Sequence, residues 1–273
     1  MPKNLYMEKI GKKAKLASLN LPNVNIEKRN SVLKQFSQYL RSNSQSILNS
    51  NKKDIYNAKS KKIKDSMIDR LKLNNKKIAQ MRNSIEEIIR FKDPIGKTLS
   101  SWKRPNGLII KRVSIPIGVI GVIYESRPNV TSDVSTLCFK AGNVAILRGG
   151  SEAFYSNKIL AKLFKRALKK KKCDENCVQF VESKDRNHVD YLLSSMKNYI
   201  DVIIPRGGKS LFKKVLKKSS ISIIGHYEGL CHVYVDREAD LSMAIKVVNN
   251  SKMRNVSICG AAETLLIDKM CLK

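Results

Sequence analysis

Apolar residues recur at helical spacing through the first ninety positions, then gather into short runs separated by glycine-bearing turns. Leu33, Phe36 and Leu40 share one face of a helix that Asn25 is placed to cap. Ile78, Met81, Ile85 and Ile88 form a second stripe, and Asp93-Pro94-Ile95-Gly96 predicts its end. Between the two stripes, residues 51–65 are polar and lysine-rich and read as a connection between helices. The pattern changes after residue 100. Asn106-Gly107 is a turn signal, and the alternation from Leu108 to Val113 after it predicts a hairpin arm over 101–117. Strands are then expected at 119–124, 144–147, 178–181, 202–204, 221–224 and 232–235. Interleaved helices carry Val130, Val134, Leu137 and Ala141, ended by Gly142; then Ile159, Leu160, Leu163 and Phe164; then Leu241, Ile245 and Val248. Short apolar strands alternating with helices predict an α/β fold with a parallel sheet, whose ligands bind beyond the strand ends.

Charge alters this picture less than its size suggests. The net charge of +30 points first to nucleic acid. Yet 39 Lys outnumber 14 Arg, they spread along the whole chain, and aromatics are only 6%, too few to interleave as stacking platforms. A solvated surface is the expectation, with Lys169 to Lys172 at a helix C-terminus, and no dedicated nucleic-acid role. The longest apolar run, 113–124, is broken by Pro116, Gly118 and Gly121 and is too short to span a bilayer, so no membrane role and a cytoplasmic location are expected. Six cysteines and three histidines show no metal-ligand spacing. Reduced thiols and no metal are expected.

Three loops at strand ends carry candidate chemistry. Arg148-Gly149-Gly150-Ser151-Glu152 combines glycines that let backbone approach a ligand, a cation, and a serine that could cap the next helix; a plain strand-to-helix turn fits it equally. Pro205-Arg206-Gly207-Gly208-Lys209-Ser210 offers backbone N–H groups at a helix start, which favours a phosphate, but lacks the spacing of a P-loop or a G-x-G-x-x-G fingerprint. In Ser126-Arg127-Pro128-Asn129, the Asn129 amide can donate to an oxyanion or cap the following helix. A fourth segment, Ile258-Cys259-Gly260-Ala261-Ala262, sets a thiol where a small-residue loop enters an apolar strand. Cys259 is either a packing residue or a nucleophile. A thiol beside nucleotide-type loops suggests a thioester-forming dehydrogenase.

Long ordered stretches carry a resemblance. They are Asp69-Arg70-Leu71-Lys72-Leu73; residues 116–131, with Glu125-Ser126-Arg127-Pro128-Asn129; residues 142–152; residues 203–211; residues 226–236; and the Cys259 segment. In these the chain resembles the γ-glutamyl phosphate reductases (glutamate-5-semialdehyde dehydrogenases) of the aldehyde dehydrogenase superfamily. The resemblance implies a Rossmann-type NADPH-binding lobe over residues 1–230 and the start of an α/β catalytic lobe over 231–273. It implies NADPH reduction of L-glutamyl 5-phosphate to glutamate 5-semialdehyde through a Cys259 thioester, in proline biosynthesis. Asn129 matches the oxyanion-binding Asn, and Arg148, Gly149, Gly150, Ser151 and Glu152 match the loop at the adenosine ribose. Gly207, Gly208 and Ser210 match the turn beneath the pyrophosphate. Glu228 stands where hydrolytic relatives keep a general base and is assigned proton handling or cofactor placement. Glutamate 5-kinase as a partner and a homo-oligomer are also implied. Two departures stand out. Gly260 replaces an Asn common in the family, and family members continue well beyond the cysteine strand. A nucleotide-binding fragment without turnover, with apolar strand edges open to a complementing partner, is therefore a second expectation.

Overall fold

The computed structural model describes residues 4–225, 229–256 and 258–272, in two compact units, 1–225 and 226–273. The first unit opens with α1 (Leu5–Asn20), α2 (Ile26–Ser42), α3 (Ser44–Ser60), α4 (Asp65–Leu71) and α5 (Asn75–Arg90). Asn4, Asn25 and Asn74 cap α1, α2 and α5, each accepting from the N–H three residues on. The stripes on α2 and α5 are buried, and the two helices pack together. Residues 51–65 depart from the expected connection, because α3 runs through Ser60. Its polarity is inward as well as outward. Buried Asn51 donates to Leu71 O at 2.9 Å and to Ser156 Oγ at 3.1 Å, and accepts from Leu73 N at 2.8 Å. Buried polar side chains with partners read from sequence like solvated ones, and this hid the helix.

The hairpin consists of β1 (Thr98–Lys103) and β2 (Ile109–Val113), antiparallel, with Gly107 at φ +88° in the turn. It starts slightly earlier than expected and is almost wholly exposed. The central sheet follows: β3 (Val119–Tyr124), α6 (Pro128–Lys140), β4 (Val144–Gly149), α7 (Phe154–Lys170), β5 (Val178–Phe180), α8 (Asn187–Ser194), β6 (Val202–Arg206) and α9 (Lys209–Lys218). The strands are parallel in the order β5-β4-β3-β6. Residues 221–224 make only an isolated parallel bridge beside β6, through Ile223 and Ile203, rather than a full strand. Every residue of β3 and β4 is buried, as a parallel sheet covered on both faces requires. Gly142, at φ +72°, ends α6 as expected. The buried face of α6 is turned from the expected stripe: Thr131, Ser135, Cys138 and Phe139 are buried, while Leu137 is exposed.

The second unit is a βαβ motif. Strand β7 (Cys231–Val235) and strand β8 (Ala262–Ile267) are parallel neighbours, connected through α10 (Leu241–Met253). Asp240 caps α10 through Met243 N at 3.0 Å. Leu241, Met243, Ile245 and Val247 on the helix are at least half exposed.

Candidate active site

Parallel pairing brings the ends of β3, β4 and β6 into line, with Tyr124 opposite both Gly149 and Arg206. Two of the three sequence-predicted loops of the first unit, 148–152 and the turn that opens α9, therefore meet beside Glu125. An open cleft of about 320 Å³ lies between the 148–152 loop, Glu125 and the first turn of α9, where Ser210 lines it. Beneath it a buried polar chain ties the elements together: Tyr124 Oη and Thr131 Oγ1 lie 2.7 Å apart, and Thr131 Oγ1 donates to Asn157 Oδ1 at 2.9 Å. Burial raises the Tyr124 pKa, so its hydroxyl stays neutral.

Arg148 is buried, and its guanidinium donates to the carbonyls of Gly149 and Lys184. Those bonds fasten the end of β4 to the loop that carries Lys184 and Arg186, two further cations on the cleft. A Cβ at Gly150 would lie 2.5 Å from Glu152 Oε2, so a larger residue there would displace the Glu152 carboxylate. Ser151 does not cap a helix. Its hydroxyl donates to Glu152 Oε1 at 3.2 Å, and the N-terminus of α7 is held from α3, where Asp54 accepts from Tyr155 N at 3.0 Å and Ser156 N at 2.7 Å.

Gly208 is the N-cap of α9, and its N–H is engaged: it donates to Glu125 Oε2 at 3.0 Å. The turn predicted to accept a phosphate thus holds a carboxylate oxygen. A Cβ at Gly207 would lie 2.6 Å from the Glu125 carboxyl carbon and would push that carboxylate aside.

Asn129 lies apart from this cleft, on another of about 210 Å³ shared with α4 and α5. It is exposed and is not a cap, because Arg127 holds the N-cap position and Pro128 opens α6. Its Nδ2 donates to Asp133 Oδ2 at 3.0 Å, which holds the amide nitrogen on that side. Burial raises the Asp133 pKa, with the Asn129 hydrogen bond acting against it. Asp133 was legible as the residue one turn beyond Asn129. Glu125 and Arg186 carried no signal of their own.

In the second unit, Cys259 is an exposed, reduced thiol in the loop before β8. Cys231 Sγ lies 3.3 Å from Cys259 O, as donor to it, and a Cβ on Gly229 would meet that carbonyl at 2.0 Å. Burial pushes the Cys138 and Cys177 thiols up to about 12, as expected of packing residues. Among the described residues no group of His, Cys, Asp and Glu is placed to hold a metal ion. Glu228 lies outside the described residues.

The aldehyde dehydrogenase family profile matches residues 5–272. The chain belongs to the aldehyde dehydrogenase family. Within it, the chain is 44% identical over 264 residues to the γ-glutamyl phosphate reductase of Bartonella tribocorum, covering 97% of this chain and 64% of that protein. It is 44% identical over 265 residues to that of Paramagnetospirillum magneticum, covering 97% and 62%. The crystal structure of the Thermotoga maritima γ-glutamyl phosphate reductase superposes with a TM-score of 0.90 at 38% identity, over 97% of this chain and 64% of that one. A probable aldehyde dehydrogenase from Listeria monocytogenes, 15% identical, shares the fold alone, with a TM-score of 0.64. The chain thus spans a little under two thirds of the length of these reductases.

Proposed function

We propose that this aldehyde dehydrogenase-family chain takes part in the NADPH-dependent reduction of L-glutamyl 5-phosphate to glutamate 5-semialdehyde. One observation carries the reading: the 148–152 loop, Glu125 and the start of α9 converge on a single cleft in a chain 44% identical, across 97% of its length, to a γ-glutamyl phosphate reductase. The cleft suits a dinucleotide. The α9 turn already donates a backbone N–H to an anionic oxygen, and Lys184 and Arg186 supply cations suited to a 2′-phosphate. Arg148, Gly149, Gly150, Ser151 and Glu152 would hold the adenosine end, and Gly207, Gly208 and Ser210 the pyrophosphate. NADPH, when bound, supplies the hydride.

Cys259 is assigned the nucleophile. Its thiolate forms a bond to the acyl carbon while the carbon–oxygen bond to phosphate breaks, leaving a thioester and inorganic phosphate. Asn129 Nδ2 and the Cys259 backbone N–H are assigned the hydrogen bonds to the oxyanion. Glu228 is assigned proton handling or cofactor placement. The free cysteines fit a cytoplasmic setting. Glutamate 5-kinase as the supplier of the acyl phosphate, and assembly into a homo-oligomer, belong to the same reading.

Run in reverse, with glutamate 5-semialdehyde, phosphate and NADP⁺, the protein is expected to generate NADPH absorbance that Cys259→Ala abolishes. Retained turnover in that variant sinks the nucleophile assignment. A second reading, nucleotide binding without turnover, is favoured by the exposed apolar residues of α10 and β8. NADP⁺ binding with no absorbance change would select it.

A further inference from the structure

Cys259 is the first inner residue of a tight turn, closed by Ala261 N donating to Ile258 O at 3.1 Å. The thiol stands at an exposed bend, and a Cβ on Gly260, the second inner residue, would meet nothing. This turn folds against the start of β7. Cys231 pairs there with Ala262, and the register then slips so that His232 lies opposite Thr264. Strand β8 thereby carries one extra residue at its start, a bulge of the kind that re-aims neighbouring side chains. Half-buried Cys231 donates through Sγ to Cys259 O at 3.3 Å. Gly229 lets the two segments close, because a Cβ there would run into the Cys259 carbonyl. One thiol therefore touches the backbone of the residue that carries the other, although 28 positions separate them. The open bend leaves room for Cys259 to change rotamer toward it.

The other cysteines are not placed this way. Parallel pairing sets Cys231 and Cys259 at the starts of β7 and β8, whereas Cys271 follows the end of β8. Its Sγ donates to Asp236 O at 3.4 Å, just past the end of β7. The five residues of β7 hold the two ends about 16 Å apart. A disulfide spans only roughly 4–7 Å between Cα atoms, so Cys271 is out of reach. Cys138, Cys173 and Cys177 belong to the first unit, and burial raises the thiol pKa of all three. Less thiolate makes each slower to oxidise. An exposed thiol with a second thiol beside it has the opposite disposition: the first is oxidised and the second captures it.

We propose that Cys231 and Cys259 are a reversible redox pair, in which Cys259 meets an exogenous peroxide and Cys231 resolves the product as an intramolecular disulfide. In the first step Cys259 Sγ attacks one peroxide oxygen, the O–O bond breaks, and a sulfenic acid and one water form. In the second, Cys231 Sγ attacks the Cys259 sulfur, the S–O bond breaks, and a second water leaves with the Cys231 proton. Two thiols lose two electrons, and the peroxide is reduced to two waters. A dithiol reverses the bond by exchange. The disulfide stops Cys259 short of the irreversible sulfinic stage. That it also suspends acyl transfer rests on the function proposed above; the thiol pair does not.

The full chain, reduced and then treated with hydrogen peroxide, tests this by peptide mass. It is recovered from the monomer band of a non-reducing denaturing gel and digested without reductant. A peptide pair joining Cys231 to Cys259, lighter by two hydrogens than its parts and released by dithiothreitol, is expected. Cys231→Ser is expected to lose that pair and to accumulate sulfinic acid at Cys259 several-fold faster. Gly229→Ala keeps both thiols but drives the segments apart, and is expected to slow the cross-link several-fold. The first measurement uses wild-type protein, so a variant that fails to fold does not block the test. Cys259 reaching the sulfinic stage in wild-type protein without the cross-link overturns the pair, as does Cys231 or Cys259 joined instead to Cys271. Absent oxidation of both thiols, or equal sulfinic rates in wild type and Cys231→Ser, overturns it too. A Cys231–Cys259 cross-link in protein that shows no turnover with semialdehyde, phosphate and NADP⁺ would support the pair and count against the turnover proposed above.

Discussion

At the residue scale, Glu125 is the most consequential side chain that sequence reasoning passed over. It lies inside a quoted motif, but its partner, Gly208, is 83 positions away. A carboxylate on the N–H that a pyrophosphate would use competes with that pyrophosphate and repels it. Glu125→Gln keeps the shape and removes the charge, so NADP⁺ is expected to bind several-fold more tightly, each 1.4 kcal/mol counting about tenfold. Weaker binding in a calorimetric titration would mean that Glu125 supports the nucleotide rather than displacing it. The place of Cys259 in the loop before β8, by contrast, was legible from the small residues around it and the apolar run after it. What had no sequence signal is the clamp on its carbonyl, made by Cys231 and by the missing Cβ of Gly229.

At the element scale, periodicity placed α2, α5, α7 and every strand of the central sheet, because each buries one continuous apolar face or run. It failed at α3, whose inward side carries Asn51 and Asp54 as well as Ile47 and Ala58. Asp54 takes over the capping role expected of Ser151. Burial pushes its pKa up, against the lowering influence of its hydrogen bonds to Ser156 and Tyr155. Asp54→Ala leaves two N–H groups at the start of α7 without an acceptor and is expected to cost about 1–2 kcal/mol in urea unfolding. Asp54→Asn, which keeps an acceptor, is expected to cost less. Equal losses would show that charge rather than capping is what α7 uses. The α6 face was misassigned for a related reason: buried Thr131 donates to Asn157 and buried Ser135 donates back to Thr131 O in its own helix, so hydroxyls occupy positions that a hydropathy pattern assigns to the surface.

At the scale of the whole molecule, the two units differ in how they cover apolar surface. The first buries an extended core running through the central sheet and the helices packed on it. In the second, α10 has no buried residue, and Leu265, Leu266 and Ile267 of β8 are exposed. Exposed apolar area of this kind seeks cover. The 30.9 kDa chain is expected to bind an apolar fluorescent dye and to run above monomer mass in light scattering, and Ile245→Lys with Val247→Lys to reduce both. A monomer that ignores the dye would contradict this. No helix among the described residues is long and apolar enough to cross a membrane.

The sequence by itself determined the α/β alternation, the hairpin turn at Gly107, the stop at Gly142, the glycine loops and the thiol before β8. Each is a local decision, made by side-chain period, backbone freedom or turn chemistry within a few residues. The tertiary structure alone decided which of these meet. Parallel register set Tyr124 level with Gly149 and Arg206 and brought Glu125 to Gly208, and the packing of α3 on α7 carried Asp54 to the start of α7. Those partners stand tens of residues or more apart, and periodicity reports which side of an element faces inward but not what it will find there.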